Sequence, residues 1–288
     1  MSAAPPRSRT GAATCPAGAG PHAPHRQDLS FPSMSEIRHQ PVAPTSTQSR
    51  AGGDVIDRHR HDDHQLIYVS SGVLAIRTEH GSWIAPNDRA LWIPAHTWHE
   101  HRFYGRSRFH TVGFPAGDPK PVLDARTPAV VAVDALVREL LIALTSPDLT
   151  RAETRHIEAV LRDRLRRVAE QPIMLPVPRD RRLAQVCRLV EADLSRPYTL
   201  AELARHAHVG ERTLSRLFRE EFGMTYPQWR TRVRLFHAMV MLAEDATVTD
   251  TAHACGWASA SAFVDIFAQA MGTTPGTYRA GVFGPRER

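Results

Sequence analysis

The chain has 288 residues, of which 42% are hydrophobic, and it carries a formal net charge of +6. This length predicts two domains with packed cores, and the modest basic charge is compatible with a nucleic-acid partner. No apolar run approaches the roughly 20 residues that a membrane span needs, and the 3 cysteines form no Cys-x-x-Cys pair, which argues against a disulfide framework or a zinc ribbon. We therefore expect a cytoplasmic protein without a membrane partner.

Residues 1–50 are rich in Pro, Ala, Gly, Ser and Thr and show no apolar periodicity. Such a segment cannot bury enough apolar surface to fold, so we predict a disordered tail. Met34, followed by Ser-Glu-Ile-Arg, offers an alternative start, and the N-terminus lacks the compact apolar core of a secretory signal.

Short apolar segments separated by turn signals occupy residues 51–118. The segments predicted as buried strands are Gln65-Leu-Ile-Tyr-Val, Val73-Leu-Ala-Ile-Arg and Arg89-Ala-Leu-Trp-Ile. Several short strands at regular spacing predict an all-β sandwich or barrel.

Histidines of this β region occur in two short motifs. The motifs are His59-Arg-His61 with Gln65 and Gly72, and Pro94-x-His96-x-x-His99. They resemble the two motifs of a cupin, a jelly-roll β-barrel in which two histidines, a glutamate and a third histidine hold a metal. The resemblance implies a cupin-like sensor domain at 51–118.

The resemblance also implies a ligand set for a divalent transition metal, namely His59, His61 and His99. The chain departs from the family's pattern at Gln65, which replaces the glutamate, and at His96, which replaces a glycine. A neutral amide is a weaker ligand than a carboxylate and supplies no compensating charge. A metal-free pocket lined by histidines therefore remains the alternative.

Tryptophans recur in the same region at Trp83, Trp92 and Trp98. Aromatic walls bury a large apolar area, so these residues are candidates for the pocket of a small-molecule effector. The alternative is that they belong to the barrel core.

Two amphipathic helices are predicted next, at Ala129–Thr145 and Ala152–Val168. We assign residues 119–170 to a helical connector that dimerises the protein. Three prolines then predict an interdomain linker at 171–178, because proline cannot donate a backbone hydrogen bond and stiffens the chain. A helix at Arg181–Leu194 opens the C-terminal domain, residues 179–288.

The C-terminal domain contains an internal repeat of a short helix, a turn and a longer helix. The first unit runs from Leu200 to Gly223 and the second from Val248 to Gly272, with a sequence shift of 48 at the start and 49 in the longer helix. The longer helices carry apolar residues at helical spacing. These residues are Leu214, Leu217, Phe218 and Phe222 in the first unit, and Phe263, Ile266, Phe267 and Met271 in the second. Such units suit the major groove of DNA.

This repeat resembles the DNA-binding domain of AraC/XylS-type transcription regulators. The residues that carry the resemblance are Thr-Leu-Ala-Glu-Leu-Ala at 199–204, Arg-Thr-Leu-Ser-Arg-Leu-Phe-Arg at 212–219, Ala-Cys-Gly-Trp at 254–257, Phe263, Phe267 and Gly-Thr-Thr-Pro at 272–275. The segment from Trp83 to His99 is similar to a subgroup of these regulators that often lies beside genes for efflux transporters.

We call the second helix of each unit its reading helix. In the first unit, the face opposite the core carries a polar stripe at i, i+3, i+4 and i+7 spacing, namely Arg212, Ser215, Arg216 and Arg219. Arginine can bind guanine O6 and N7 together, so Arg212 and Arg216, helped by Ser215, are candidates for base contacts, and Arg219 for phosphate.

The equivalent stripe of the second unit contains no arginine. It holds Ser261 and Asp265, where the carboxylate could accept from a cytosine amino group. Residues 179–236 hold 12 arginines against 7 acidic residues, whereas residues 237–288 hold 3 against 5. We therefore expect the first unit to supply most of the affinity for DNA, since phosphate repels the second.

The sequence predicts an α+β protein in which a cupin-like barrel and connector helices precede an all-α domain with two helix-turn-helix units. We interpret it as a ligand-responsive regulator, not an enzyme. Its partners would be promoter DNA, a small-molecule effector, a second copy of the chain and, for an activator, RNA polymerase. The alternatives are a metal-dependent cupin enzyme with an accessory helical domain and a nucleoid-type DNA binder.

Overall fold

The computed structural model describes residues 36–84, 86–118, 123, 126–165 and 174–283. Up to residue 35 the predicted disordered tail, including the alternative start at Met34, lies outside the described residues. From residue 38 onward that prediction is wrong, because two strands follow, β1 (Arg38–Gln40) and β2 (Ser46–Arg50). Both are short, polar and largely accessible, so they lack apolar alternation, and backbone pairing in the sheet stabilises them.

The remaining strands of the described chain are β3 (Val55–His61), β4 (His64–Thr78), β5 (Gly81–Ile84), β6 (Arg89–Ile93), β7 (His99–Phe114), β8 (Ala129–Ala132) and β9 (Met174–Leu175). The sheet has the order β1-β3-β7-β4-β5-β9, while β2 pairs with β7 and β6 pairs with β4 and β8. The long strands β4 and β7 pair along most of their length, with register shifts around Ser71. The two halves of these strands pair with different neighbouring strands, so the sheet folds over itself as a jelly roll. The predicted cupin-like barrel is confirmed.

Alternation along β4 separates two apolar cores. Ile67 and Val69 point into the barrel, where the buried side chains include Trp83, Leu91, Phe103 and Phe109. Leu66 and Tyr68 point to the outer face, which is covered by two helices. This outer cluster also contains Trp92 and Phe114.

The covering helices are α1 (Ala135–Leu144) and α2 (Arg151–Arg164). The predicted helix start at Ala129 is wrong, because residues 129–132 form β8, which pairs with β6. The N-cap Asp134 then starts α1 by accepting from the amide of Val137. The β domain therefore extends beyond the boundary predicted at residue 118.

The predicted linker also contains a strand, because β9 pairs with β5 at Trp83↔Met174 and Ser82↔Leu175. Met174 packs against the barrel core, whereas Leu175 packs against the core of the C-terminal domain. Neighbouring strand residues point to opposite faces, so two consecutive side chains contact the cores of two domains. The linker is thus a structured connection in the part that the structure describes.

The C-terminal domain is all-α, as predicted. Its helices in the described chain are α3 (Arg181–Ala192), α4 (Leu200–His206), α5 (Glu211–Phe222), α6 (Tyr226–Ala243), α7 (Val248–Ala254), α8 (Ala260–Met271) and α9 (Pro275–Phe283). Capping boxes at Thr199 and Thr225 start α4 and α6. Gly223 and Gly272 end the two reading helices at φ values of +67° and +69°, a conformation that glycine adopts without strain.

The barrel and the helical domain make a second close contact at Gly105 of β7. A Cβ at this position would lie 2.4 Å from the carbonyl oxygen of Ala243, the last residue of α6. A cleft of about 460 Å³ is lined by Asp88 and Arg89 of the barrel and by residues of α8 and α9, among them Tyr278. The absence of a side chain at Gly105 therefore lets the barrel approach the end of α6.

Candidate nucleic-acid interface and histidine cluster

The first reading helix, α5, has one buried and one exposed face. Its apolar residues Leu214, Leu217, Phe218 and Phe222 are at most 8% exposed. On the opposite face Arg212, Arg216 and Arg219 are exposed and Ser215 is partly exposed. An ion pair with Glu220 at 3.4 Å holds Arg216, and both side chains remain more than half exposed, so this pair is weak and easily exchanged for another anion.

The second reading helix, α8, presents Ser261 and Asp265 to solvent while Phe263 and Phe267 are fully buried. Ser259 caps its N-terminus by accepting from the amide of Ala262. The fold of α8 therefore matches that of α5, and the difference between the two helices is the charge of the exposed stripe.

Arginines of α6 hold the loop between α3 and α4 and the turn of the second unit, a role that the sequence analysis did not predict. Arg230 donates to the carbonyl oxygens of Leu194 and Arg196, and Arg234 donates to that of Gly256 at 2.6 Å. Their position in the connecting helix could have indicated this role, because a buried carbonyl at a helix end needs a hydrogen-bond donor.

The structure brings His59, His61 and His99 together. They are between 1% and 4% exposed, and one ring nitrogen from each lies within 4.8 Å of those of the other two. The cluster forms because His59 and His61 lie on one face of β3 and His99 begins the neighbouring β7, opposite His59 in the register.

Each of these rings is held by a backbone carbonyl at Nδ1. The acceptors are the oxygens of Asp57 for His59 at 2.7 Å, Gln40 for His61 at 3.1 Å and Thr97 for His99 at 3.1 Å. A carbonyl only accepts, so Nδ1 carries the proton and Nε2 keeps its lone pair. The Nε2 atoms of His61 and His99 are buried without a hydrogen-bond partner.

Burial keeps these imidazoles neutral. It lowers the pKa of His59 to about 4 and lowers the pKa of His61, and it lowers the pKa of His99 well below its usual value. A metal ligand must be a neutral imidazole, and backbone oxygens that fix its other nitrogen are the usual supporting shell. The residues present therefore fit a transition-metal ion, as the cupin resemblance implied.

The carboxylate that directly follows His99 in the chain is engaged elsewhere. Glu100 points to the opposite face of β7 from His99, where it pairs with Arg77 and lies 3.8 Å from Arg58. Gln65 is 1% exposed and its Oε1 has no hydrogen-bond partner. No acidic residue belongs to the cluster among the described residues.

The three tryptophans do not line one pocket, so that prediction is wrong. Trp83 belongs to the barrel core, Trp92 to the cluster under α1 and α2, and both are at most 3% exposed. Trp98 is half-buried and packs under the guanidinium of Arg58 at 4.2 Å. Trp83 and Trp92 lie on different strands and faces and fill separate cores.

None of the helices that the structure describes combines the length and the apolarity that a membrane crossing requires.

Two family models match the chain. A helix-turn-helix domain matches residues 203–281 and a cupin domain matches residues 47–113. The cupin match begins inside β2, in agreement with the sheet that the structure describes.

Curated relatives extend the similarity over most of the chain. The HTH-type transcriptional regulator NimR of Escherichia coli is 30% identical over 225 residues, which is 77% of this chain and 81% of NimR. The HTH-type transcriptional activator RhaR of Pectobacterium atrosepticum is 30% identical over 149 residues, which is about half of each chain.

Among solved structures, ToxT of Vibrio cholerae with a bound unsaturated fatty acid covers 88% of this chain at 13% identity and a TM-score of 0.39. An AraC-type regulator from Chromobacterium violaceum covers 36% at 26% identity and a TM-score of 0.35. The similarity to NimR spans both domains and agrees with the double helix-turn-helix architecture. The chain therefore belongs to the AraC-type helix-turn-helix transcriptional regulators.

Proposed function

We propose that this protein is an effector-responsive regulator that binds promoter DNA sequence-specifically, mainly through α5. The observation that carries the proposal is the exposed stripe of Arg212, Ser215, Arg216 and Arg219, opposite a fully packed core face. A rigid helix that presents several guanidinium groups on one side suits the major groove. A helix bundle with a purely structural role would not need several guanidinium groups on one exposed face.

The residues of the stripe divide between bases and phosphate. Arg212 and Arg216 bind base edges with help from Ser215, and Arg219, one turn farther along, binds phosphate. In the second unit Ser261 and Asp265 contribute specificity and little affinity, because a carboxylate is repelled by phosphate. The hydrogen bonds of Arg230 and Arg234 hold the loop between α3 and α4 and the turn of the second unit on α6.

The barrel is the sensor for a small-molecule effector. His59, His61 and His99 would hold a divalent transition metal through Nε2, and the metal would supply an electrophilic anchor for an effector or fix the barrel strands. The two domain contacts, at β9 and at Gly105, offer a path by which the barrel's state alters how the helix-turn-helix units are presented.

The protein acts in the cytoplasm as a homodimer formed through the helices of residues 119–170. An activator of this kind also contacts RNA polymerase. The similarity of the Trp83–His99 segment to efflux-associated regulators supports a neighbouring transporter gene as the target.

The second candidate function is a metal-dependent cupin enzyme with an accessory helical domain, and the observation that favours it is the histidine cluster. Turnover that requires the metal, with no preference for any DNA sequence, would support the enzyme. DNA binding of equal strength on all sequences would instead support a nucleoid-type binder.

The test is genome-wide footprinting of the protein in cells, followed by titration of the purified protein on the recovered sites. We expect a small set of promoter sites, and the genes beside them indicate which compounds to test as effectors. A regulator's affinity shifts when such a compound is added. Uniform occupancy along the chromosome would contradict the proposal.

A further inference from the structure

A fourth histidine, His101, lies beside the cluster with no polar partner of its own. It is 1% exposed, and neither of its ring nitrogens has a hydrogen-bond partner. Its ring centroid is 5.2 Å from that of His99 and 5.6 Å from that of His59. A neutral imidazole carries one donor and one acceptor, so burial without partners costs free energy at both atoms.

Two aromatic rings also contact His101. The ring meets Phe103 and Phe109 edge-on, with centroids 6.3 Å away in each case. The strand places His101 on the same barrel-facing side as His99, two residues earlier. The imidazoles of His59 and His99 are in contact with this ring, and a metal ion would give their nitrogens and those of His101 a shared partner.

We propose that His101 is the fourth protein ligand of the metal centre, which makes it a four-imidazole site. The inference rests on the proposed metal site of His59, His61 and His99. His101 replaces the acidic ligand that the cupin pattern supplies at the position of Gln65, and it reaches the site from β7 instead of β4.

The distances between the rings agree with a common metal. With metal–nitrogen bonds of about 2.0–2.1 Å in tetrahedral geometry, the ring centroids of two ligands lie roughly 5 Å apart. Five of the six ring pairs are in contact, with separations from 4.2 Å to 5.6 Å, and the sixth pair, His61 and His101, is not. His101 lies outside the group whose nitrogens are all within 4.8 Å. Ligation thus requires a small rotation of its ring, which no hydrogen bond opposes.

Four neutral nitrogen ligands define the class of metal and its role. Imidazole suits zinc, copper, iron and nickel, whereas magnesium, calcium and manganese prefer oxygen ligands. A shell closed by four protein ligands leaves no position for a substrate, which is the arrangement of structural sites. The inference therefore favours a metal that fixes or reports the state of the sensor over a metal that catalyses a reaction.

The experiment titrates the full-length, untagged and metal-stripped protein with Co²⁺ and records the visible d–d absorption. We expect one equivalent of Co²⁺ in the wild type, with the intense bands of tetrahedral nitrogen ligation, and loss of binding in His59→Ala. His101→Phe should bind Co²⁺ at least about tenfold more weakly, with weaker bands because water takes the fourth position.

A second variant gives a positive signal. His101→Cys should add a thiolate-to-cobalt charge-transfer band, which arises only if the side chain at 101 ligates the metal. The matched control is His110→Gln, a second buried histidine of β7, whose nitrogens already have hydroxyl partners in Ser70, Thr47 and Thr145. This variant should keep the wild-type cobalt spectrum.

The outcomes separate the two claims. A wild-type protein that binds no Co²⁺ overturns the metal site together with the role of His101. Wild-type binding with unchanged affinity and spectrum in His101→Phe, and no charge-transfer band in His101→Cys, overturns the role of His101 alone and leaves a three-histidine site. Unfolding curves recorded without metal show whether each variant is folded.

Discussion

Arg216 and Asp265 hold equivalent positions on the two reading helices and carry opposite charges. Both side chains are exposed, so neither is required for the core of its unit. The contrast makes the pair a direct test of which unit reads DNA more strongly.

Replacing Arg216 with alanine should weaken specific binding by about 1–3 kcal/mol and relax the preference at one base pair, because a bidentate contact to guanine is lost. Fluorescence anisotropy at fixed salt measures the effect. Arg188→Ala, an exposed arginine of α3 outside the stripe, is the control and should bind almost as the wild type. A larger loss in Asp265→Ala than in Arg216→Ala would show that the ranking is wrong.

Buried histidines make the stability of the protein depend on pH. Burial lowers the pKa of His59 and of His110 from 6.5 to about 4. Between these values the unfolded chain binds protons that the folded chain does not, so the stabilisation is present above pH 6.5 and is lost as the pH falls towards 4.

We expect the free energy of unfolding in the presence of a chelator to be lower at pH 5.0 than at pH 7.5, by on the order of 1–3 kcal/mol per histidine. Urea unfolding at the two pH values measures this. His110→Gln, which keeps hydrogen-bonding groups but does not titrate, should show a smaller difference. Equal unfolding midpoints at both pH values would contradict this account of the buried imidazoles.

Among the structural elements, β7 and α6 approach each other closely across the domain boundary at Gly105. Gly105 has φ +64° and its missing Cβ leaves room for the Ala243 carbonyl, whereas Gly53 has φ +91° and no atom within 4 Å of a Cβ. Replacing either glycine would strain the backbone, but only a side chain at position 105 would collide with the neighbouring domain.

Gly105→Ala should therefore separate the barrel from α6, and Gly53→Ala should not. Hydrogen exchange followed by mass spectrometry should show at least about tenfold faster exchange at the last turn of α6 in Gly105→Ala alone, because local opening becomes easier. Identical exchange in both variants would mean that this contact does not couple the domains.

The elements differ in how far the sequence predicts them. α4 and α5 are predictable because their signals are local, namely the Thr199–Glu202 capping box and the glycine that ends α5. β1, β2 and β9 are not, since short polar or proline-flanked segments become strands only through a partner distant in sequence.

The sites show the same division. The exposed stripe of α5 follows from helical spacing, and the His59, His61 and His99 cluster follows from the motif resemblance. The prediction of a tryptophan pocket was wrong. Alternation along a strand shows that neighbouring side chains face opposite sides of the sheet, but it does not show which core lies on each side. The position of His101 beside the cluster could have been predicted, because residues two apart on a strand lie on the same face.

At the scale of the whole molecule, the connector helices leave apolar side chains uncovered. Leu136 of α1 is 43% exposed and Val160 of α2 is 41% exposed. Helices that cover a barrel with one face and expose apolar residues on another suit a homodimer interface.

We expect the wild type to sediment as a dimer and Leu136→Arg or Val160→Arg as a monomer, since a buried unpaired charge opposes association. Val177→Arg, equally exposed at 45% but outside these helices, should remain dimeric. Sedimentation equilibrium distinguishes the two masses. A dimer that survives both arginine substitutions would place the interface elsewhere.

The central claim is that the arginine stripe of α5 selects a DNA sequence, and the most direct test compares affinities for one footprinted site and for its scrambled duplex at physiological ionic strength. The account predicts binding to the native site at least about 10³-fold tighter, with most of that ratio lost when Arg212 and Arg216 are both alanine. Equal affinity for the two duplexes would contradict it, whether or not the compounds indicated by the neighbouring genes are present.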